Sequence, residues 1–433
     1  MKFNIPPGVF DLTPINEKEK WKSSYLWAHI EKVIRETTAT YSYHEIRTPL
    51  FERTELFQRS VGEQSDIVSK EMYTFLDKGG RSMSLRPEGT APVMRAFIEN
   101  RLDSLSSCHK LFYIAPMFRY ERSQAGRYRQ HHQFGVEAIG NGSAEQDAEV
   151  IDLLFTFYNR LGLQNLRLCI NSLGNSETRS TYKEALKSYL KPYFETLSEE
   201  SKTRFETNPL RILDSKDPKD QEIVQNAPVI LDFLVAEDRW HFNEVQRLLT
   251  LLKIPYEINS SLVRGLDYYN KTVFEVVSGE LGAQNSIGGG GRYDGLISEL
   301  SGPDLPSFGF GTGIERVIQT MINQQVNLPQ PGFPMIYFIP LGEEAKTICF
   351  EFLHALRLRG IPSQMDFVGK KIGKSMQQAD QLQAGYAVVV GENEIEKQVF
   401  QIKKMKTSEV NFIEFEQFVS KIEQMYLGRK VAH

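Results

Sequence analysis

FRYERSQAGRYRQHHQFGVE, Phe118 to Glu137, places four arginines (Arg119, Arg122, Arg127 and Arg129) within eleven residues of a chain whose formal net charge is only −4. The stretch opens and closes as alternating apolar and polar residues and breaks at Gly126, the pattern of two strands joined through a loop. Alternate residues of a strand share a face, so Arg119 and Glu121 point one way on the first strand. On the second, Gln133, Gly135 and Glu137 share a face, while Phe134, Val136 and Ala138 cover the opposite one against a core helix. Paired as a hairpin, the strands give a polar floor of arginine, glutamine and carboxylate. The loop holds Gln124, Gly126, Arg127, Arg129 and Gln130. A solvated surface hairpin is the plainer reading of such a loop, but it leaves the polar repeat on both strands unexplained.

Working outward, residues from about 72 to 140 are mostly strand-like (MYTFLD, SMSLRP, KLFYIAPMFRYE, HHQFGVEAIG), with a helix over 91–100. Consecutive strands joined by hairpins argue an antiparallel sheet. Trp21, Tyr25, Ile30 and Ile34 form an apolar stripe that predicts a helix over 15–40, and a second helix is expected around 54–60. Ser143 and Gln146 have capping-box spacing ahead of a helical repeat of Val150, Ile151, Leu154, Phe155, Tyr158 and Leu161, which predicts a helix over 144–161. Residues 172–257 change to helical, charged sequence and read as an insertion, because strand signals resume afterwards with TVFEVVSG. VNLPQPGFP (326–334) reads as a linker. Beyond it, 335–433 alternates strand and helix, the grammar of an open, largely parallel α/β sheet. The expected fold class is therefore a multi-domain α/β protein, its antiparallel core in 1–325.

The length of 433 residues suggests two or three domains, and 41% hydrophobic with 24% charged residues is ordinary for a globular protein. An acidic total means that any phosphate-binding surface is local. Cys108, Cys169 and Cys349 are far apart, which argues against a disulfide framework or a structural zinc site. MKFNIPPGVFDLTP has no signal-peptide pattern, and no apolar run approaches the roughly 18 residues of a membrane span. A soluble, cytoplasmic protein without a membrane partner is expected.

Four further segments carry chemistry. SLRPEGT (84–90) leaves a strand with Glu88, Gly89 and Thr90 at the turn, where Thr90 as a plain helix cap is the competing reading. SLVRGLDYYNKTVFEV (261–276) sets Arg264, Tyr268 and Tyr269 before a strand, although buried tyrosines are often only core. IGGGGRYDGL (287–296) brings backbone close to something bulky. It lacks the Lys-Ser/Thr ending of a P-loop. FGFGTGIERV (308–317) spaces its glycines G-x-G-x-G, one residue short of a dinucleotide fingerprint, and feeds a helix carrying Arg316.

F-R-x-E on one hairpin strand and G-x-G-x-G-x-E-R after a late glycine-rich strand resemble motifs 2 and 3 of class II aminoacyl-tRNA synthetases. RPEGT, the R-Y-R-Q-x-H-Q-x-G-x-E run and LVRGLDYY are similar, more narrowly, to motifs of the histidyl-tRNA synthetase family, and TPLFERTELFQRSVGEQSDIVSKEMYTF (48–75) resembles its motif 1 region. The resemblance implies an antiparallel class II catalytic domain, a C-terminal anticodon-binding domain, ATP as substrate with Mg2+ on its phosphates, L-histidine and tRNA(His) as partners, and a homodimer.

By resemblance, Arg119, Arg264 and Arg316 are catalytic, with Arg119 on the α-phosphate and the histidine carboxylate and Arg264 approaching from the opposite side. Arg316 and Arg127 hold the outer phosphates, and Glu121 contacts the adenine side. Glu88, Thr90 and Gln133 receive the α-ammonium, with Gly89 in the same histidine-binding set, while Glu137, Tyr268 and Tyr269 read the imidazole. Arg122 and Gln124 reach the tRNA acceptor end. Ser123, Ser215 and His131 depart from the usual proline, cysteine and phenylalanine. Adjacent strand histidines, His131 and His132, face opposite ways, which argues against a metal site between them. The competing class is a non-catalytic synthetase-like regulatory subunit of histidine biosynthesis, which usually lacks the C-terminal domain and catalytic residues retained here.

Overall fold

The computed structural model describes residues 3–62, 65–121, 127–279 and 286–431. The chain divides into two compact units, Met1–Pro329 and Gln330–His433, and the boundary falls inside the proline-rich stretch.

In the first unit the strands are β1 (His44–Glu45), β2 (Phe51–Arg53), β3 (Thr74–Leu76), β4 (Ser82–Leu85), β5 (His109–Phe118), β6 (Gln130–Ile139), β7 (Leu166–Ser172), β8 (Tyr256–Ile258), β9 (Asn270–Ser278), β10 (Ser286–Arg292) and β11 (Ser307–Gly313). Eight of them form one sheet in the order β1-β5-β6-β11-β10-β9-β7-β8, and β2-β4-β3 form a small second sheet. From β5 to β7 every neighbour pair is antiparallel; only the edge pairs β1–β5 and β7–β8 are parallel. The quoted stretch supplies the hairpin at its centre, with Phe118 opposite Gln130 and Tyr113 opposite Gly135.

The period of two sorts the strand residues as expected. Phe112, Phe134, Val136 and Phe310 lie on one face, packed with Leu154, Phe157 and Tyr158 of the helix Ala144–Arg160. The ring of Phe134 meets Phe157 and Phe310 edge-on, each at 5.2 Å. On the other face Leu111, Tyr113, Ala115 and Met117 pack with Val93, Met94 and Phe97 of the helix Thr90–Glu99. Helical residues between β7 and β8 add Tyr182 and Leu186 to that core.

Two local expectations need correction, and one departure from the usual residue finds its partner. The first helix starts at Ser24, because the residues before it are held by other bonds: Thr13 N donates to Lys22 O, and Asn16 N donates to Ser23 Oγ. Ser143 occupies the N-cap without a side-chain cap bond, and Gln146 donates instead to Glu149 at 3.0 Å, so the spacing of a capping box is present without its bonds. Ser215, where cysteine is common, donates to buried Asp220 at 2.6 Å, and Ser198 and Ser201 donate to the same carboxylate.

The second unit has β12 (Ile336–Pro340), β13 (Ser363–Met365), β14 (Tyr386–Val390), β15 (Val399–Lys404) and β16 (Val410–Glu414) in the order β13-β12-β14-β15-β16. The first three are parallel, but β15 and β16 run antiparallel as a hairpin. The sheet is thus mixed, because the short segment between β14 and β15 cannot make the crossover that a parallel strand requires.

Candidate active site

One row of cross-strand partners runs Tyr113–Gly135–Gly311–Gly289–Glu275. The next runs Leu111–Glu137–Gly309–Gly291–Val273. Glycines on adjacent strands leave a strip of bare backbone, and the side chains beside it lie flat on that strip. A Cβ on Gly311 would stand 1.6 Å from Gln133 Nε2, on Gly309 2.3 Å from Glu137 Oε2, and on Gly289 2.8 Å from Arg264 Nη1. Gly311, Gly309 and Gly289 leave the space that Gln133, Glu137 and Arg264 occupy.

At one end of this floor the buried cluster centres on Glu137, which is 1% exposed. Thr90 Oγ1 donates to Glu137 Oε1 at 2.8 Å, and the Tyr293 hydroxyl donates to Oε2. Tyr268 and Tyr269 meet at a tilt of 47° with ring centroids 4.7 Å apart, and both rings meet Tyr293. Glu88 is buried too, and its carboxylate accepts Thr90 N at 2.6 Å and Ala91 N at 2.9 Å. It therefore closes the N-terminus of the helix Thr90–Glu99, the capping work that Thr90 was the alternative candidate for. Gly89 and Gly135 both make room for the ring of Tyr113, whose hydroxyl is buried without a hydrogen-bond partner. Burial raises the Glu88 carboxyl, and burial, with nearby Glu137, raises Tyr113 well above the ordinary phenol range.

At the other end is a cavity of about 240 Å3, and Arg119, Glu121, Arg127, Gln133, Arg264 and Arg316 all line it. Arg119 lies one residue beyond β5, its backbone N donating to Arg129 O at 2.9 Å and its Nε to Pro87 O at 2.8 Å. Arg127 pairs with Glu121 at 3.3 Å, and Arg316 Nη1 donates to Ser286 O at 2.6 Å. His131 lines the same cavity, while His132 faces away and bonds Glu315 Oε1 at 3.0 Å. Burial, helped by Arg119, His132 and Arg316, lowers His131 to about 3, so its imidazole is a neutral wall at neutral pH. Arg129 is structural: its guanidinium lies 4.1 Å over the Tyr120 ring, and its N donates to Gly8 O. Arg122, Ser123 and Gln124 lie outside the described residues.

Arg264 joins the two ends. It bonds Glu275 at 3.2 Å, lies 5.8 Å from the Tyr269 ring, and also lines a larger cavity of about 920 Å3 on the side of the helical insertion. Sequence reasoning missed Tyr293, Tyr113 and Glu275. Tyr293 was adjacent to the glycine run, but only the register of β10 on β11 brings it to Glu137.

The Glu137 carboxyl is pushed up to about 8, chiefly by burial and further by Glu88, against the lowering effect of the bonds from Tyr293 and Thr90. The folded chain thus keeps a proton there that the unfolded chain loses near 4.5. The native state binds more protons across that window, so stability falls as pH rises through it, by up to about 1.4 kcal/mol per unit. Glu137→Gln removes this loss. Its melting temperature relative to wild type is expected to climb between about pH 5 and 9 in thermal scans without ligand; parallel profiles would show that the carboxyl is ionised throughout.

The histidyl-tRNA synthetase family model matches residues 22–317, and an anticodon-binding-domain model matches 335–425. A histidine–tRNA ligase of Protochlamydia amoebophila (strain UWE25) is 68% identical over 405 residues, 94% of this chain and 96% of that one. One from Geobacillus sp. (strain WCH70) is 47% identical over 412 residues, again 94% and 96%. The apo histidyl-tRNA synthetase of S. aureus superposes with a TM-score of 0.82 at 36% identity, covering 98% of this chain and all of that one. With its glycine floor, its arginine-lined cavity and its buried glutamate–tyrosine cluster, this chain belongs to the histidyl-tRNA synthetase family.

Proposed function

We propose that this protein is a histidine–tRNA ligase. A carboxylate oxygen of L-histidine attacks the α-phosphorus of ATP, the bond to the bridging oxygen breaks, and pyrophosphate leaves. A hydroxyl at the 3′ end of tRNA(His) then takes the histidyl group from the adenylate and AMP departs. The observation that carries this reading is the meeting, over one glycine floor, of an arginine-lined cavity and a buried carboxylate–tyrosine cluster with Arg264 between them.

The first step brings two anions together and builds charge on the phosphorus centre, so positioning and positive charge supply most of the acceleration. Guanidinium suits this work because its planar fork holds phosphate oxygens in pairs and never loses its proton. Arg119 takes the α-phosphate and the histidine carboxylate, Arg264 the α-phosphate from across the floor, and Arg127 and Arg316 the outer phosphates. Glu121 receives the adenine side. Glu88, Thr90 and Gln133 accept from the α-ammonium, and Glu137 with Tyr268 and Tyr269 reads the imidazole. Tyr293 fixes the Glu137 carboxylate for that task.

Mg2+ fits the donors present. The ion would be held mainly through the ATP phosphates, and Glu315, which lines the cavity with its Oε2 buried and without a hydrogen-bond partner, would offer it a hard oxygen donor. The ion would offset phosphate charge there. Residues 1–325 form the catalytic domain with its insertion at about 172–257, and 335–433 serve the anticodon. Arg122 and Gln124 contact the acceptor end. Leu50, Phe51, Phe75 and Leu76 are exposed on and beside the small sheet, an apolar patch that supports a homodimer. Among the described residues no helix is long and apolar enough to cross a membrane. A cytoplasmic location, where tRNA is charged for translation, belongs to the same proposal. The four cavity arginines and the C-terminal unit favour catalysis over a regulatory role. Histidine-dependent ATP–pyrophosphate exchange by the purified protein tests the reading: exchange with histidine alone is expected, and its absence at adequate Mg2+ would favour the regulatory alternative.

A further inference from the structure

Arg264 has an unusual setting for a residue on which the proposed first step depends. It hangs from the irregular segment between β8 and β9, so no ladder of backbone bonds fixes its direction. It stands at the junction of two cavities, one of about 240 Å3 shared with Arg119, Arg127 and Arg316, the other of about 920 Å3 that Asp66 and Asp267 also line. Both sides mix charges: Glu121 and Glu315 stand among the arginines of the first, and five lysines and arginines stand among the four carboxylates of the second. Bulk charge therefore does not choose a side for the guanidinium, and a specific partner must.

Its observed position shows that partner. Nη1 bonds Glu275 Oε1 at 3.2 Å, the guanidinium lies flat over Gly289, and its Nε is buried without a hydrogen-bond partner. Glu275 is the first side chain beyond the glycine row Gly135–Gly311–Gly289, on the same face of the sheet and directly paired with Gly289. It is carried by β9, in the middle of the sheet, whereas Arg264 is carried by a loop. The partner on the strand therefore sets the place of the one on the loop.

We propose that Glu275 is a positioning residue for adenylate formation: it holds Arg264 over the bare floor on the nucleotide side and keeps it from turning into the larger cavity. Glu275 acts through Arg264 and takes no part in bond making. The proposal rests on the ligase reading given above and adds a residue to it.

The test is a double-mutant cycle on single-turnover histidyl-adenylate formation with the full chain, using wild type, Glu275→Gln, Arg264→Ala and the double variant. Glu275→Gln is expected to slow the step by about 10-fold or more, with histidine affinity by calorimetry within about twofold of wild type. In the Arg264→Ala background the same change is expected to cost less than about twofold, because the residue it positions is gone. Glu275→Asp, which keeps the charge on a shorter stem, is expected to recover part of the rate. An unchanged rate in Glu275→Gln, or the same fractional loss with and without Arg264, would overturn the positioning role. Failure of the ligase reading is separate, since it would appear as a wild-type chain that forms no adenylate with histidine.

Discussion

Arg264→Ala is expected to slow histidyl-adenylate formation by roughly 10²- to 10³-fold, the usual loss when one preorganised charge donor is removed from a developing anion. Histidine binding is expected to remain measurable, because the buried cluster around Glu137 holds together without Arg264: its bonds come from Thr90 and Tyr293. The effect belongs to the rate because the guanidinium sits between the two ends of the site, at the junction where carboxylate and α-phosphate would meet. Rapid-quench single turnovers at saturating ATP and histidine measure it. A variant with the wild-type rate would show that Arg264 only packs against Tyr269.

Glu137→Ala is expected to lower histidine affinity by more than about 10²-fold. The side chain is the shared acceptor of Thr90 Oγ1 and the Tyr293 hydroxyl in a pocket closed to solvent. Its removal leaves two buried donors without a partner and takes away the group that would read the imidazole. Sites built on buried hydrogen bonds discriminate steeply when one partner is lost, by roughly 10⁴-fold in the strongest cases. Calorimetry with histidine is the direct measurement, and equal affinity would remove Glu137 from the pocket.

The hairpin at 118–137 made the antiparallel sheet legible, because strand alternation is local and the polar face of Gln133 and Glu137 repeats within one element. The glycines of 288–291 announced close approach, and the structure shows Arg264 approaching there, while Gly309 and Gly311 make the same room for Glu137 and Gln133. What sequence could not give was the pairing that brings those side chains together. Tyr293 reaches Glu137, and Glu275 reaches Arg264, only through a register spanning β6, β11, β10 and β9, and register between strands far apart in sequence leaves no periodic trace. Ser143 shows the reverse failure, a correct local spacing whose bonds are taken elsewhere. Beyond residue 335 the alternation of strand and helix gave the first three parallel strands but not the reversal at β15, since a parallel and an antiparallel partner differ in the length of the connection more than in the strand itself.

The account's central claim is that one site takes histidine and passes it to tRNA. Its most direct measurement is charging of tRNA(His) transcript by the purified full chain with ATP, Mg2+ and radiolabelled amino acids supplied singly. Label is predicted to enter tRNA with histidine alone, and to disappear when the 3′-terminal ribose has been oxidised by periodate. Charging with another amino acid, or histidine binding with no label transferred to tRNA, would contradict it.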